Sequence, residues 1–152
     1  MSGSGDGLEG GSGKIEERIH VKNLEIVQRL YEAFAARDRE TIIEIFDPEI
    51  VWIQNKGFPG GGTHVGAESV LRDVFAPFRV HWESWEADVS RWIEDGEIVV
   101  ALGEYRGVNK ATGKSMKAAF AHAYWICDSR IVRFQQYTDT LMVARAMSYD
   151  PV

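Results

Sequence analysis

Apolar positions recur at three- and four-residue steps in the first half of the chain and at alternate residues in the second half. Ile19, Ile26, Val27, Leu30 and Phe34 fall on one helical face, which predicts a helix over Ile15 to Ala36 with Glu16 and Glu17 in its first turn. Arg37-Asp38 ends it, and Asp38 is placed to cap a second helix, Arg39 to Phe46, whose apolar face is Ile42, Ile43 and Phe46. Asp47-Pro48 stops that helix, because a residue before proline avoids the helical region. Ile50 to Gln54 reads as a short strand. Lys56 to Gly66 is glycine-rich and reads as a loop, either a plain connector or a lid with Phe58 as its apolar tip. Ala67 to Phe75 is a third helix, with Val70, Leu71, Val74 and Phe75 on its face, ending at Pro77.

The period then changes to two. Val80 to Ile93, Glu97 to Val108, Ser115 to Cys127 and Ile131 to Asp139 read as four long strands. Turns fall at Asp95-Gly96, at Lys110 to Gly113 and at Asp128-Ser129. Leu141 to Met147 closes with a helical turn. Helices followed by a meander give an α+β class: a curved antiparallel sheet wrapped around three N-terminal helices, enclosing a conical pocket. Residues 1–14 form a Gly/Ser-rich leader, expected to be disordered or an expression linker, and 15–152 form one domain.

Side-chain parity splits the third long strand. Ala119, Ala121, Ala123 and Trp125 share one face, opposite Phe120, His122, Tyr124 and Ile126. The alanine face carries no charge and suits close approach of a second sheet, so a homodimer through it is expected. His122 then points inward.

Composition narrows the function classes. A chain of 152 residues suits one core, and a net charge of -6 argues against general nucleic-acid binding. No apolar run is long enough to cross a bilayer, and with no basic start leading into an apolar stretch no secretory signal is expected. The single cysteine, Cys127, cannot form an internal disulfide; it is expected as a small buried hydrophobe in a reducing, cytoplasmic setting. Five Trp, five Tyr and seven Phe either line a cavity or pack the core. His20, His64, His81 and His122 show no metal-ligand spacing, no phosphate loop or nucleophile elbow is present, and no cofactor is expected.

That leaves His122 and Asp139 as candidate catalytic groups, with Tyr31, Trp52, Gln54, Phe58, Trp85, Tyr105, Phe120, Tyr124 and Tyr137 as candidate ligand-binding walls. Each has a structural alternative. His122 can be a hydrogen-bonded core histidine, and Asp139 can cap the final helical turn. Strict alternation puts Asp139 on the parity of Arg133 and Tyr137, so a bulge is needed to aim it inward.

The opening with Asp47-Pro48 and Val51-Trp52, the run Phe58-Pro59-Gly60-Gly61-Gly62, Gly103 to Gly107, Phe120-Ala121-His122 and Ile131 to Thr140 together resemble a SnoaL-like domain. That domain belongs to the nuclear-transport-factor-2-like (NTF2-like) superfamily, and the likeness is to its ketosteroid-isomerase-related branch. Steroid isomerases of that branch carry a carboxylate base on the first strand, where this chain has Ile53-Gln54-Asn55; their second acid falls at about His122. Epoxide-hydrolase members need an Asp and an Arg on one inward strand, which Ala118 to Ile126 does not supply. Polyketide-cyclase members place an Asp acid/base on the last strand, matched here by Asp139. The resemblance implies a cofactor-independent isomerase, cyclase or lyase acting by general acid-base catalysis on a small apolar carbonyl compound. The alternatives are a non-catalytic module holding such a ligand and a pocket engineered on this scaffold.

Overall fold

In the computed structural model the backbone is described for residues 9–148 and the side chains for residues 23–148. Helix α1 spans Glu9–Ala36 and buries Ile26, Val27 and Leu30. It starts ahead of the predicted Ile15, inside the stretch assigned to the leader; lengthening an existing helix needs no new nucleus. The rest of that leader lies outside the described residues. Asp38 caps α2 (Arg39–Ile45), accepting from the Thr41 amide at 3.1 Å and from the Thr41 hydroxyl at 2.6 Å.

Strand β1 (Phe46–Gln54) follows directly, longer than predicted. The glycine-rich stretch is not all loop: Gly62–Val65 forms β2, antiparallel to β1, with Trp52 opposite His64. The glycines serve this return. Gly61 lies so near Asn55 that a Cβ would meet its carbonyl oxygen at 2.6 Å. Phe58 is no exposed lid tip. It is buried, its ring 5.4 Å from Tyr105 and 5.8 Å from Trp85, because an aromatic ring gains more from the core than from water.

The third helix runs past the predicted stop at Pro77. Ala67–Val70 (α3) leads into a π-turn, Leu71–Phe75, and then into α4, Ala76–His81. Across the π-turn the Ala76 amide reaches back five residues to Leu71. That widened turn accommodates a proline that has no N–H to give.

The four long strands are β3 (Trp82–Asp95), β4 (Ile98–Asn109), β5 (Ser115–Cys127) and β6 (Arg130–Thr138), closed by α5 (Thr140–Met147). The sheet order is β2-β1-β6-β5-β4-β3. All pairs are antiparallel except β1 with β6, which run parallel, so the early strand joins the meander beside the last one. Asp128 and Ser129 both take positive φ, 49° and 64°, which matches the twist of the two-residue turn between β5 and β6.

The sheet coils over α1 because β3 and β4 approach closely. Gly103 sits beside the β3 irregularity between Val89 and Arg91; a Cβ there would fall 2.1 Å from the Asp88 carbonyl oxygen and 2.7 Å from the Phe120 ring. Gly107 makes room for Trp82 and Trp85, whose rings would lie 3.2 and 3.1 Å from a Cβ. The concave face receives α1 and the π-turn segment in one core that includes Val27, Trp52, Val74, Phe120 and Phe134.

On the convex face Ala119 is exposed and Ala121, Ala123 and Trp125 are half-buried. Cross-strand neighbours Leu102, Val100 and Ile98 extend that surface, and the Arg133 guanidinium lies 5.4 Å over the Trp125 ring. Cys127 is exposed rather than buried, because it ends β5 at the turn. No helix among the described residues is long and apolar enough to cross a membrane.

Gly103→Ala is expected to lower the unfolding free energy by about 2 kcal/mol or more, since backbone must shift to admit the methyl group. Urea denaturation of the two proteins checks this.

Candidate active site

Inward parity on β5 carries Phe120, His122 and Tyr124 into the concave core, and His122 is 4% exposed. Its ring stacks on Phe120 at 3.9 Å and 13°. Both ring nitrogens are engaged: Nδ1 with the Tyr31 hydroxyl at 2.5 Å and Nε2 with the Tyr105 hydroxyl at 2.5 Å. The chain of contacts continues outward at each end. Tyr124 donates to the Tyr31 oxygen at 2.9 Å, and the Gln136 amide donates to the Tyr105 oxygen at 2.8 Å. Gln136 is held in turn, since its Oε1 accepts from the Asn55 amide at 2.9 Å and Asn55 Oδ1 accepts from the Thr138 amide at 2.8 Å.

Burial fixes the charge state of this chain. With no carboxylate beside it, His122 is pushed down to about 3 by burial and stays neutral at ordinary pH. Burial raises Tyr31, Tyr105 and Tyr124 above the usual phenol range, so they stay protonated.

The hydrogens can then be counted. Three phenols, one neutral imidazole and one Gln136 N–H supply five hydrogens, but the chain contains four hydrogen bonds. Whichever tautomer His122 takes, one phenolic hydrogen is left over. Tyr124 is committed to Tyr31, so the spare donor belongs to Tyr31 or Tyr105. Both residues line a cavity of about 50 Å³, walled also by Trp52, Phe75, Phe78, Trp85 and Phe134. That space holds a few waters or a small group. Gln54 is the other polar side chain on its wall; it accepts from Trp52 Nε1 at 2.8 Å and donates to the Pro59 carbonyl at 3.5 Å.

The sequence profile of the SnoaL-like domain matches residues 27–134. The chain belongs to the SnoaL-like family. Its fold is that of the NTF2-like proteins. An NTF2-like protein from Burkholderia thailandensis E264 is 32% identical over 83% of this chain and 97% of its own, with a TM-score of 0.79. An NTF2-like protein of unknown function from Burkholderia pseudomallei K96243 is 27% identical over 84% and 98%, with a TM-score of 0.77. A protein from Jannaschia sp. CCS1, provisionally named a SnoaL-like polyketide cyclase, shares the fold at 22% identity over 88% and 96%, with a TM-score of 0.76. None of the curated proteins matches the chain.

In this SnoaL-like domain the expected wall residues separate into three groups. Tyr31, Trp52, Gln54, Trp85, Tyr105 and Tyr124 line the cavity with His122. Phe58 and Phe120 stand behind it, packed on Tyr105 and His122. Tyr137 is 58% exposed and lies on the convex face, opposite Ala121 in the ladder. No bulge turns the end of β6 inward; β6 keeps Phe134 and Gln136 inside and Tyr137 outside. Asp139 is exposed and caps α5, accepting from the Met142 amide at 3.3 Å, and is not among the residues around the cavity. Sequence reasoning passed over Gln136, although its parity with Phe134 signalled an inward side chain. It also passed over Leu30, Phe34, Val74, Phe75, Ala87 and Phe134, which helix and strand periodicity marks as core but does not single out as wall, and Phe78, which falls between the predicted third helix and the strand after it. Among the described residues no cluster of His, Cys, Asp and Glu could hold a metal.

Two outcomes follow from these placements. Because His122 is held below its unfolded-state value of about 6.5, the unfolded chain binds more protons than the folded one below that pH, and stability falls as pH falls through the window from about 6.5 toward 3. The unfolding free energy of wild type minus that of His122→Gln should therefore shrink on acidification by up to about 1.4 kcal/mol per pH unit, as read by urea melts between pH 7 and pH 4.5. Asp139→Ala should cost about 1 kcal/mol through loss of the cap, as read by the same urea melts.

Proposed function

We propose that this SnoaL-like domain takes a small, planar, apolar carbonyl compound into the cavity and polarises its carbonyl oxygen with the spare phenolic hydrogen of the Tyr31–His122–Tyr105 chain. The observation that carries this reading is the mismatch of five hydrogens and four bonds around a buried neutral imidazole. A donor left over in an apolar enclosure is matched by a ligand oxygen, and one that gains negative charge during reaction is matched better still. The reaction class this serves is cofactor-independent isomerisation, cyclisation or elimination through an enolate. When the enolate oxygen forms, the donor is already aimed at it, and the neutral imidazole keeps its one hydrogen on a phenol oxygen of the chain.

The base is the weaker side of the arrangement. Gln54 stands where a steroid isomerase would carry a carboxylate, and His122, held at about 3, accepts a proton poorly. The chemistry therefore suits a substrate whose α-hydrogen is already acidic, such as a 1,3-dicarbonyl. TerC, co-crystallized with polyporic acid and 22% identical, is a protein of the same fold. The second reading, a binding module with no turnover, is favoured by the small cavity and by the lack of a carboxylate on its wall. We further propose that two copies associate through Ala121, Ala123, Trp125 and their neighbours on the convex face, which would cover Tyr137 as well.

Trp52 and Trp85 report occupancy by fluorescence. Neutral aryl ketones should quench the wild type, and at least one of Tyr31→Phe and Tyr105→Phe should weaken them about tenfold while leaving the matching hydrocarbons unaffected. Equal loss for ketone and hydrocarbon would sink the reading. Product detected by mass spectrometry, lost in His122→Gln and kept in Asp139→Asn, selects catalysis over binding. Light scattering of Ala121→Arg against wild type tests the dimer.

A further inference from the structure

A second, larger hollow of about 520 Å³ adjoins the cavity, and Phe34, Phe78 and Trp85 line both. Those three rings thus form the partition between an aromatic interior and an outer cleft. The cleft wall differs in character from the cavity wall: it carries Arg37, Arg79 and Lys110, together with Glu83 and Glu86. In a chain of net charge -6, these five side chains sum to a local excess of one positive charge.

The three cations come from three separate parts of the fold. Arg37 follows the end of α1, Arg79 lies on α4, and Lys110 opens the turn after β4. The Lys110 amide donates to the His81 carbonyl at 3.0 Å, which ties that turn to the end of α4. None of the three takes part in an ion pair among the described residues, whereas Arg29, Arg39, Arg72 and Arg106 all do. The Arg79 guanidinium is held below the usual arginine range, by desolvation first and by the Arg37 charge second. Glu86 stands at the border, for it also lines a hollow on the other side with Arg106 and Lys117.

We propose that the cleft receives the carboxylate of the same ligand whose carbonyl-bearing apolar body enters the cavity, which makes the substrate class an aryl oxo acid. The inference rests on the pocket reading above. Arg37 and Arg79 bind the carboxylate, Phe34, Phe78 and Trp85 flank the body where it passes inward, and the phenolic donor meets the oxo group. A charged end left outside the partition also orients the ligand, since a carboxylate would be costly to bury in the apolar cavity.

The experiment is a fluorescence titration of the whole chain with 4-oxo-4-phenylbutanoate and with its neutral primary amide, each at low and at high salt. The acid is expected to bind at least tenfold more tightly than the amide at low salt, and the preference should shrink at high salt. In Arg37→Gln/Arg79→Gln the acid should fall to the affinity of the amide, while the amide, unchanged, shows that the variant is folded. Equal affinity of acid and amide for the wild type overturns the carboxylate site and leaves the cavity reading standing. A preference that survives in the double variant overturns it too. Failure of both compounds to bind removes the cavity reading and this inference with it.

Discussion

A neutral imidazole held between two phenols cannot satisfy every hydrogen around it. His122 offers one hydrogen and one lone pair, and Tyr31 and Tyr105 each bring a hydrogen of their own while accepting from a further donor. Much of the surrounding structure enforces that condition. The coil of β3 over β4 at Gly103 brings Phe120 against the bulge, and Phe120 backs the imidazole. Burial keeps all members uncharged, and Asn55 holds Gln136 so that it can only donate to Tyr105. Nothing buried among the described side chains lacks a partner, so the imbalance lies in a hydrogen and not in an unsatisfied heavy atom.

The fold was legible because both of its signals are periodic. Three-and-four spacing marked α1 and α2, period two marked the long strands to within a few residues, and Asp38 capped α2 as its type and position required. The differences have a common origin in tertiary contact. β2 exists because β1 offered it an edge, and α4 passes Pro77 because a π-turn absorbed the missing amide. Neither leaves a periodic trace in so short a run.

The site was legible by halves. Parity on β5 was enough to send His122 inward and to separate it from the alanine face. The partners of His122 were not, because Tyr31, Tyr105 and Gln136 come from one helix and two other strands and meet only once the sheet is coiled. Asp139 shows the reverse case. Its residue type and its position before Thr140 spoke for a cap, and a likeness to polyketide cyclases spoke for chemistry; the hydrogen bond to the Met142 amide is the one the local rule describes.

The π-turn at Leu71–Phe75 has an evolutionary consequence. Such a turn is in effect one extra residue in a helix, and it can be lost again by deleting a single codon. Removing it would rotate the α4 side chains by roughly 100° relative to α3, because each helical residue turns that far. Phe75 and Phe78, which wall the cavity here, would swing to a new heading while the sheet and its tyrosines stayed in place. A lineage carrying this fold could thus reshape its cavity through one insertion or deletion, without touching the imidazole and its phenols.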